Sequence, residues 1–162
     1  MDKVIAVVMG SDSDMSTMKS CIDKLKEFGI EPQVRIISAH RTPDIAAEFA
    51  KSAAADGIKV IIAAAGMAAH LAGVLAAGTM LPVIGVPLVA SQSPAGIDAL
   101  LSTAQMPAGV PVATMAIGEA GAVNAAIFAV QILALSDQKL AAKLTDFRKA
   151  QRQKTIEKDS AI

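Results

Sequence analysis

Residues 3–14 read KVIAVVMGSDSD, and this stretch decides the fold. Lys3–Met9 is a near-continuous apolar run, the pattern of a strand covered on both faces. Gly10-Ser11-Asp12-Ser13-Asp14 then makes a small, hydroxyl-rich turn, and the period changes. Across residues 12–28, Met15, Met18, Ile22 and Leu25 share one helical face, with Lys19, Asp23, Lys26 and Glu27 elsewhere. Gly29 stands where a helix C-terminus favours a residue free to take positive φ. The same unit repeats: Gln33–Ile37 is strand-like, Ser38-Ala39-His40-Arg41-Thr42-Pro43 is polar, and a helix runs from there to about Asp56 before Gly57. Thr42 is a good N-cap and Pro43 suits the first helical position. In a parallel sheet all such turns open at one edge, so the two polar segments should meet in one crevice. They would bring together an imidazole, a guanidinium, hydroxyls, carboxylates and two helix N-termini, which suits an anionic small molecule undergoing proton transfer.

The alternation continues. Val60–Ala64 is a third strand, followed by a Gly/Ala-rich turn and a short helix to about Ala77. Pro82–Val86 is a fourth strand, residues 87–94 a Pro/Ser loop, and roughly 95–103 a short helix. Val112–Ile117 is a fifth strand, and Glu119–Leu135 a helix apolar on nearly every side, which is normally covered all round. Ser136 or Asp137 caps a last helix with Leu140, Leu144 and Phe147 on one stripe, ending in a mixed-charge tail from Gln151 that should fray at its end. The prediction is an α/β fold with a parallel sheet of about five strands and helices on both faces. The 162 residues are read as a single domain, its core spanning about 3–135 and its C-terminal helix about 137–155.

Composition excludes several classes. Fifteen basic side chains balance fifteen acidic ones, and no Trp or Tyr offers a stacking platform, so no nucleic-acid surface is expected. The single cysteine, Cys21, rules out an internal disulfide and a Cys-rich metal cluster. It falls mid-helix with no basic neighbour placed to activate it. Residues 1–9 are too short for a signal peptide, and the cytoplasm is the expected compartment. Between Val60 and Ser136 only Asp98 and Glu119 carry formal charge. A membrane reading is weakened because Gly66, His70, Gly73, Gly78, Pro82 and Pro87 interrupt the run. A soluble chain must cover that surface, which points to a homo-oligomer built around the central third.

The turn residues have plain readings beside the chemical ones. Backbone amides at Gly10–Asp14 with the Ser11 and Ser13 hydroxyls make a phosphate cradle, and Asp12 and Asp14 can accept from ribose hydroxyls. Equally, Asp12 or Ser13 could simply cap the helix, and spacing alone does not decide. No dinucleotide fingerprint or P-loop occurs. His40 ends a parallel strand, where imidazole can give or take a proton near neutrality. Arg41 could hold a phosphate through paired hydrogen bonds, or form a surface ion pair of little consequence. His70 is read as a helix-start or interface residue rather than the catalyst. Two histidines without clustered carboxylates or cysteines argue against a metal site.

These segments together resemble the N5-carboxyaminoimidazole ribonucleotide mutases of purine biosynthesis, the class I aminoimidazole ribonucleotide carboxylase family. The resemblance runs from Val4 to about Gln151. It rests on Val8-Met9-Gly10-Ser11 with Ser13-Asp14, on Ser38 to Pro43, and on Ala68-Ala69-His70-Leu71. Pro82-Val83-Ile84-Gly85-Val86-Pro87, Gln105-Met106-Pro107 and Asn124-Ala125-Ala126 complete it. It implies a three-layer αβα, flavodoxin-like subunit, a homo-octamer with sites at subunit contacts, and no cofactor or metal. It further implies a ribonucleotide whose carbamate carboxyl moves from the exocyclic nitrogen to the adjacent ring carbon. By the same resemblance Ser11, Asp14 and Arg41 bind the phosphoribosyl part and His40 is the acid/base. Ser13, Ser38, Ala39 and Gly66 line the site.

The family pattern before the second histidine is usually Gly-Ala-Gly-Gly-Ala-Ala. Here it is Ala64-Ala65-Gly66-Met67-Ala68-Ala69, and Ala72 stands where proline usually follows the leucine. Met67 thus puts a flexible side chain where backbone would approach a ligand. The rival activities are a carbon dioxide-dependent carboxylase acting on the uncarboxylated ribonucleotide, a flavodoxin-like nucleotide-binding module without chemistry, and a structural oligomer whose polar turns are only caps. A receiver-type signalling domain is disfavoured, since Val60–Ala65 carries no phosphoacceptor aspartate.

Overall fold

A computed structural model of the chain describes residues 4–90 and 94–161. Lys3, at the head of the expected first strand, and residues 91–93 of the expected Pro/Ser loop lie outside the described residues. Strand β1 is Ile5–Met9, followed by a tight 3-10 turn at Asp12–Asp14 and helix α1, Met15–Glu27. Next come β2 (Gln33–Ile36), α2 (Pro43–Ser52), β3 (Val60–Gly66), α3 (Leu71–Gly78) and β4 (Val83–Leu88). The chain continues through α4 (Ile97–Ala104), β5 (Ala113–Thr114), α5 (Glu119–Ala134) and α6 (Gln138–Asp159).

The five strands form one sheet in the order β2-β1-β3-β4-β5, every pair parallel. Sequence-adjacent strands β1 and β2 sit on one side of the order and β3 on the other. The chain therefore reverses direction across the sheet between β1 and β3, and open parallel sheets place their ligands at such a crevice.

Side-chain alternation explains the layers. Ala6, Val8, Ile61 and Ala63 point to one face, where they pack with Ala46, Phe49 and Ala50 of α2 and Leu71, Ala72 and Leu75 of α3. Ile5, Val7 and Met9, of opposite parity, are equally buried, so the second face is covered as well; Met18, Cys21 and Leu25 are the buried side of α1. Each large aliphatic side chain buried this way contributes about 1.5–3 kcal/mol of transfer free energy. Glycine permits a close contact between sheet and helix. A Cβ on Gly85 of β4 would overlap the Thr103 methyl of α4 and come within 2.9 Å of Val112.

Residue contacts gather into two units, one ending at Ala129 and one beginning at Val130. The first holds the whole sheet, α1 to α4 and the alanine-rich start of α5, where Ala122, Ala125, Ala126 and Ala129 are fully buried. The second holds the last residues of α5 and α6. Asp137 caps α6 by accepting from the amides of Lys139 and Leu140.

Several boundaries differ from expectation. The end of α2 falls at Ser52, short of Asp56, with a turn leading to Gly57 at φ +87°. Strands β3 and β4 run two residues further than their apolar patterns, as Pro87 and Leu88 pair with Ala65 and Gly66. Strand β5 is reduced to two residues. Helix α6 reaches Asp159 rather than about residue 155, helped by spaced polar pairs such as Gln153 with Glu157.

Candidate active site

Three strand-to-helix turns meet at the carboxyl edge of β2, β1 and β3. The first begins at Gly10, whose amide donates to the Ala64 carbonyl at 3.1 Å and so anchors the turn to β3. Ser11, not Asp12 or Ser13, caps the 3-10 turn that leads into α1, whose own N-cap position, Asp14, makes no side-chain capping bond. The Ser11 hydroxyl accepts from the Ser13 amide at 3.4 Å, while the Ser11 amide donates to the Asp14 carboxylate at 3.1 Å. This reciprocal pair is a capping box, and it fixes both hydroxyls and one carboxylate at the rim. Burial raises the Asp14 carboxyl above its ordinary value, outweighing the amide bonds that oppose the shift. Exposed Asp12 is held below the ordinary value by the Ser11 hydroxyl and nearby amides.

The second turn closes on itself. Ser38 and Thr42 interlock: the Ser38 amide donates to the Thr42 hydroxyl at 3.1 Å, and that hydroxyl donates back to the Ser38 carbonyl at 3.0 Å. Thr42 occupies the expected N-cap position, but its hydroxyl is spent on this lock and caps nothing in α2. The Ser38 hydroxyl accepts from both the amide and Nε of Arg41, at 3.1 and 3.2 Å. Arg41 Nη2 then donates across to the Gly10 carbonyl at 2.9 Å, tying the two turns together.

The third turn leaves β3 at Gly66. A Cβ there would sit 3.3 Å from the Leu88 carbonyl, so glycine lets β3 and β4 stay close at their ends. Met67 follows with φ +55°, and the amides of Ala69 and His70 donate to the carbonyls of Met67 and Ala68 at 2.9 and 2.8 Å. These bonds deliver His70 to the start of α3. Its Nδ1 lies 2.8 Å from Nε2 of His40, with the rings nearly perpendicular at 81°. One of the two nitrogens must donate to the other, so a single hydrogen bond joins the imidazoles.

The turns enclose a cavity of about 420 Å³. Ser11, Ser13, Asp14, Ser38, Ala39, His40, Arg41 and Gly66, all expected from sequence, line it together. Ala65, Met67, Ala68, Leu71 and Ala90 add an apolar wall; of these the sequence had singled out Met67 as a side chain beside the ligand. His70 is the larger omission. Read as a helix-start or interface residue, it does start α3, yet it also touches the site imidazole. Its position on a third strand-to-helix turn, at the same sheet edge as the other two, was the available signal. The polar groups of the first two turns face a wall of small and aliphatic residues, an arrangement suited to holding a phosphorylated riboside while its other end stays dry. Among the described residues no group of three or more His, Cys, Asp or Glu side chains could hold a metal ion. No described helix is long and apolar enough to cross a membrane.

Known proteins share both sequence and fold. A protein of Brucella melitensis, named N5-carboxyaminoimidazole ribonucleotide mutase, is 56% identical over 156 residues, covering 96% of each chain. Proteins of the same name from Bacillus subtilis and Escherichia coli K12 are 51% and 50% identical, covering 100% and 94% of this chain and 99% and 90% of theirs. The crystal structure of Treponema denticola PurE superposes with a TM-score of 0.87 at 33% identity, over 98% of this chain and 97% of that one. The family model of AIR carboxylase matches residues 4–154, and the chain belongs to that family.

Proposed function

We propose that this chain is an N5-carboxyaminoimidazole ribonucleotide mutase of purine biosynthesis, an isomerase that moves a carboxyl group within one ribonucleotide. The observation that carries the reading is His40, set in one cavity between a polar cradle and a small-residue wall and bonded from behind by His70. In the reaction, the carbamate C–N bond breaks with its electron pair left on nitrogen, and His40 supplies the proton that nitrogen takes. The freed carbon dioxide is then attacked by the adjacent ring carbon, and the same imidazole removes the proton displaced there. Protons balance, and one group serves both steps. His70, hydrogen-bonded to His40, orients that ring and can pass a proton to it or take one from it. Ser11, Asp14 and Arg41 bind the phosphoribosyl part, and Ser13, Ser38, Ala39 and Gly66 complete the walls. A dry wall favours carbamate loss because the charge leaves water before it disappears.

The finer expectations belong to the same reading. The subunit assembles as a homo-octamer in the cytoplasm; exposed apolar side chains such as Met80, Val89, Ile97 and Leu101 support contact between copies. The chain works as one α/β domain, supported by a family match that runs across both contact units. No cofactor or metal takes part in the proposed steps.

His40→Ala tests the role directly. We expect turnover of N5-carboxyaminoimidazole ribonucleotide to fall by roughly 10²–10⁴, the scale of general acid–base catalysis, with assembly and substrate binding retained. Full activity in that variant would overturn the mechanism.

A further inference from the structure

Met67 is one of two non-glycine residues with positive φ among the described residues, the other being Ala95. The left-handed conformation strains a side chain with a Cβ and persists only where surrounding structure fixes it. Here the fixing is visible: a Cβ at Gly66 would come within 3.3 Å of the Leu88 carbonyl, and the amides of Ala69 and His70 donate back to the carbonyls of Met67 and Ala68. Core packing does not explain the residue, because Met67 remains 50% exposed while lining the cavity. The same wall offers otherwise Ala65, Gly66, Ala68 and Ala90, all small, and Leu71, which is buried in the core. Met67 is thus the one long, unbranched apolar side chain of the wall that is half exposed, and such a side chain adapts readily to a neighbouring ligand.

We propose that Met67 is a positioning residue of the site, an apolar cover that keeps carbon dioxide beside the ring between bond cleavage and bond formation. The proposal rests on the mutase reading and assigns it a device. The interval between the two steps is when carbon dioxide can escape to water, leaving uncarboxylated aminoimidazole ribonucleotide behind. A glycine at position 67 would relieve the backbone strain and leave that exit uncovered; the chain keeps the strained methionine instead.

The test follows label. Enzyme and N5-carboxyaminoimidazole ribonucleotide are mixed in buffer with labelled bicarbonate and carbonic anhydrase, at short times and with the enzyme-free exchange subtracted. Wild type should form unlabelled product. Met67→Ala, which keeps the strain, and Met67→Gly, which removes it, should each raise labelled product and released aminoimidazole ribonucleotide several-fold. Met67→Leu should restore wild-type retention. A structural role would alter thermal stability or rate without changing this partition. Label and release unchanged in both small variants would overturn the proposal, as would loss of turnover with no release. Fully labelled product from wild type would instead overturn the mutase reading itself, so the two failures are distinct.

Discussion

Arg41 spends its Nε and one Nη2 hydrogen on Ser38 and Gly10, which fixes the guanidinium plane across both polar turns. Five donors on that group leave several for a phosphate, and a held fork loses little entropy on binding. Arg41→Ala should therefore act mainly on KM. A charge-assisted contact of about 1.5–3 kcal/mol corresponds to a rise of roughly 10- to 100-fold, with a smaller change in kcat; an unchanged KM would remove the phosphate role. Asp14 makes a separate prediction. Its raised carboxyl favours the protonated form in the folded state, so its contribution to stability is present below the ordinary value of 3.8 and is lost as pH rises through the raised value. Asn keeps an oxygen for the Ser11 amide but carries no charge to desolvate. Thermal melts of Asp14→Asn and wild type should diverge in favour of the variant as pH rises from the acid side to neutrality, while substrate affinity weakens. A gap that stays flat or reverses with pH would contradict this account. At this scale the sequence was most legible where type and position coincided: His40, Arg41 and Ser38 sit in one polar hexapeptide. His70 was less legible, because its partner lies thirty positions away and only the order β2-β1-β3 brings them together.

Periodicity placed nearly every element, and the misplacements have local causes. Pro87 reads as a loop because proline lacks an amide, yet it continues β4 beside Ala65. The apolar run from Val112 promised a full strand, but only Ala113 and Thr114 pair with β4. Apolar composition cannot report where a ladder stops. Glycine in β4 illustrates the converse, a residue whose spacing carries no signal but whose size is decisive. Gly85→Ala would drive a methyl into Thr103 of α4 and crowd Val112. We expect a loss of about 1–3 kcal/mol, the usual cost of overpacking a filled site, measured by denaturant unfolding. An unaltered midpoint would show that α4 can yield. Gly85 sits away from the cavity, so that variant should lose stability rather than specificity.

For the whole molecule, one arrangement joins fold, surface and chemistry. The sheet brings three turns to one edge; in the proposed reaction the polar two hold the phosphorylated sugar, and the third supplies His70 and a wall without competing polar side chains. Apolar residues left exposed on the same chain fit the proposed assembly with further copies. The central claim is that carboxyl transfer occurs inside this cavity and within a single ribonucleotide. The most direct measurement is product formation by wild-type protein from N5-carboxyaminoimidazole ribonucleotide, in labelled bicarbonate, beside a parallel reaction started from uncarboxylated aminoimidazole ribonucleotide. Direct transfer predicts rapid, unlabelled ring-carboxylated product in the first reaction. Product that forms only in the second, carrying label, would contradict it and place the chain among the carbon dioxide-dependent carboxylases.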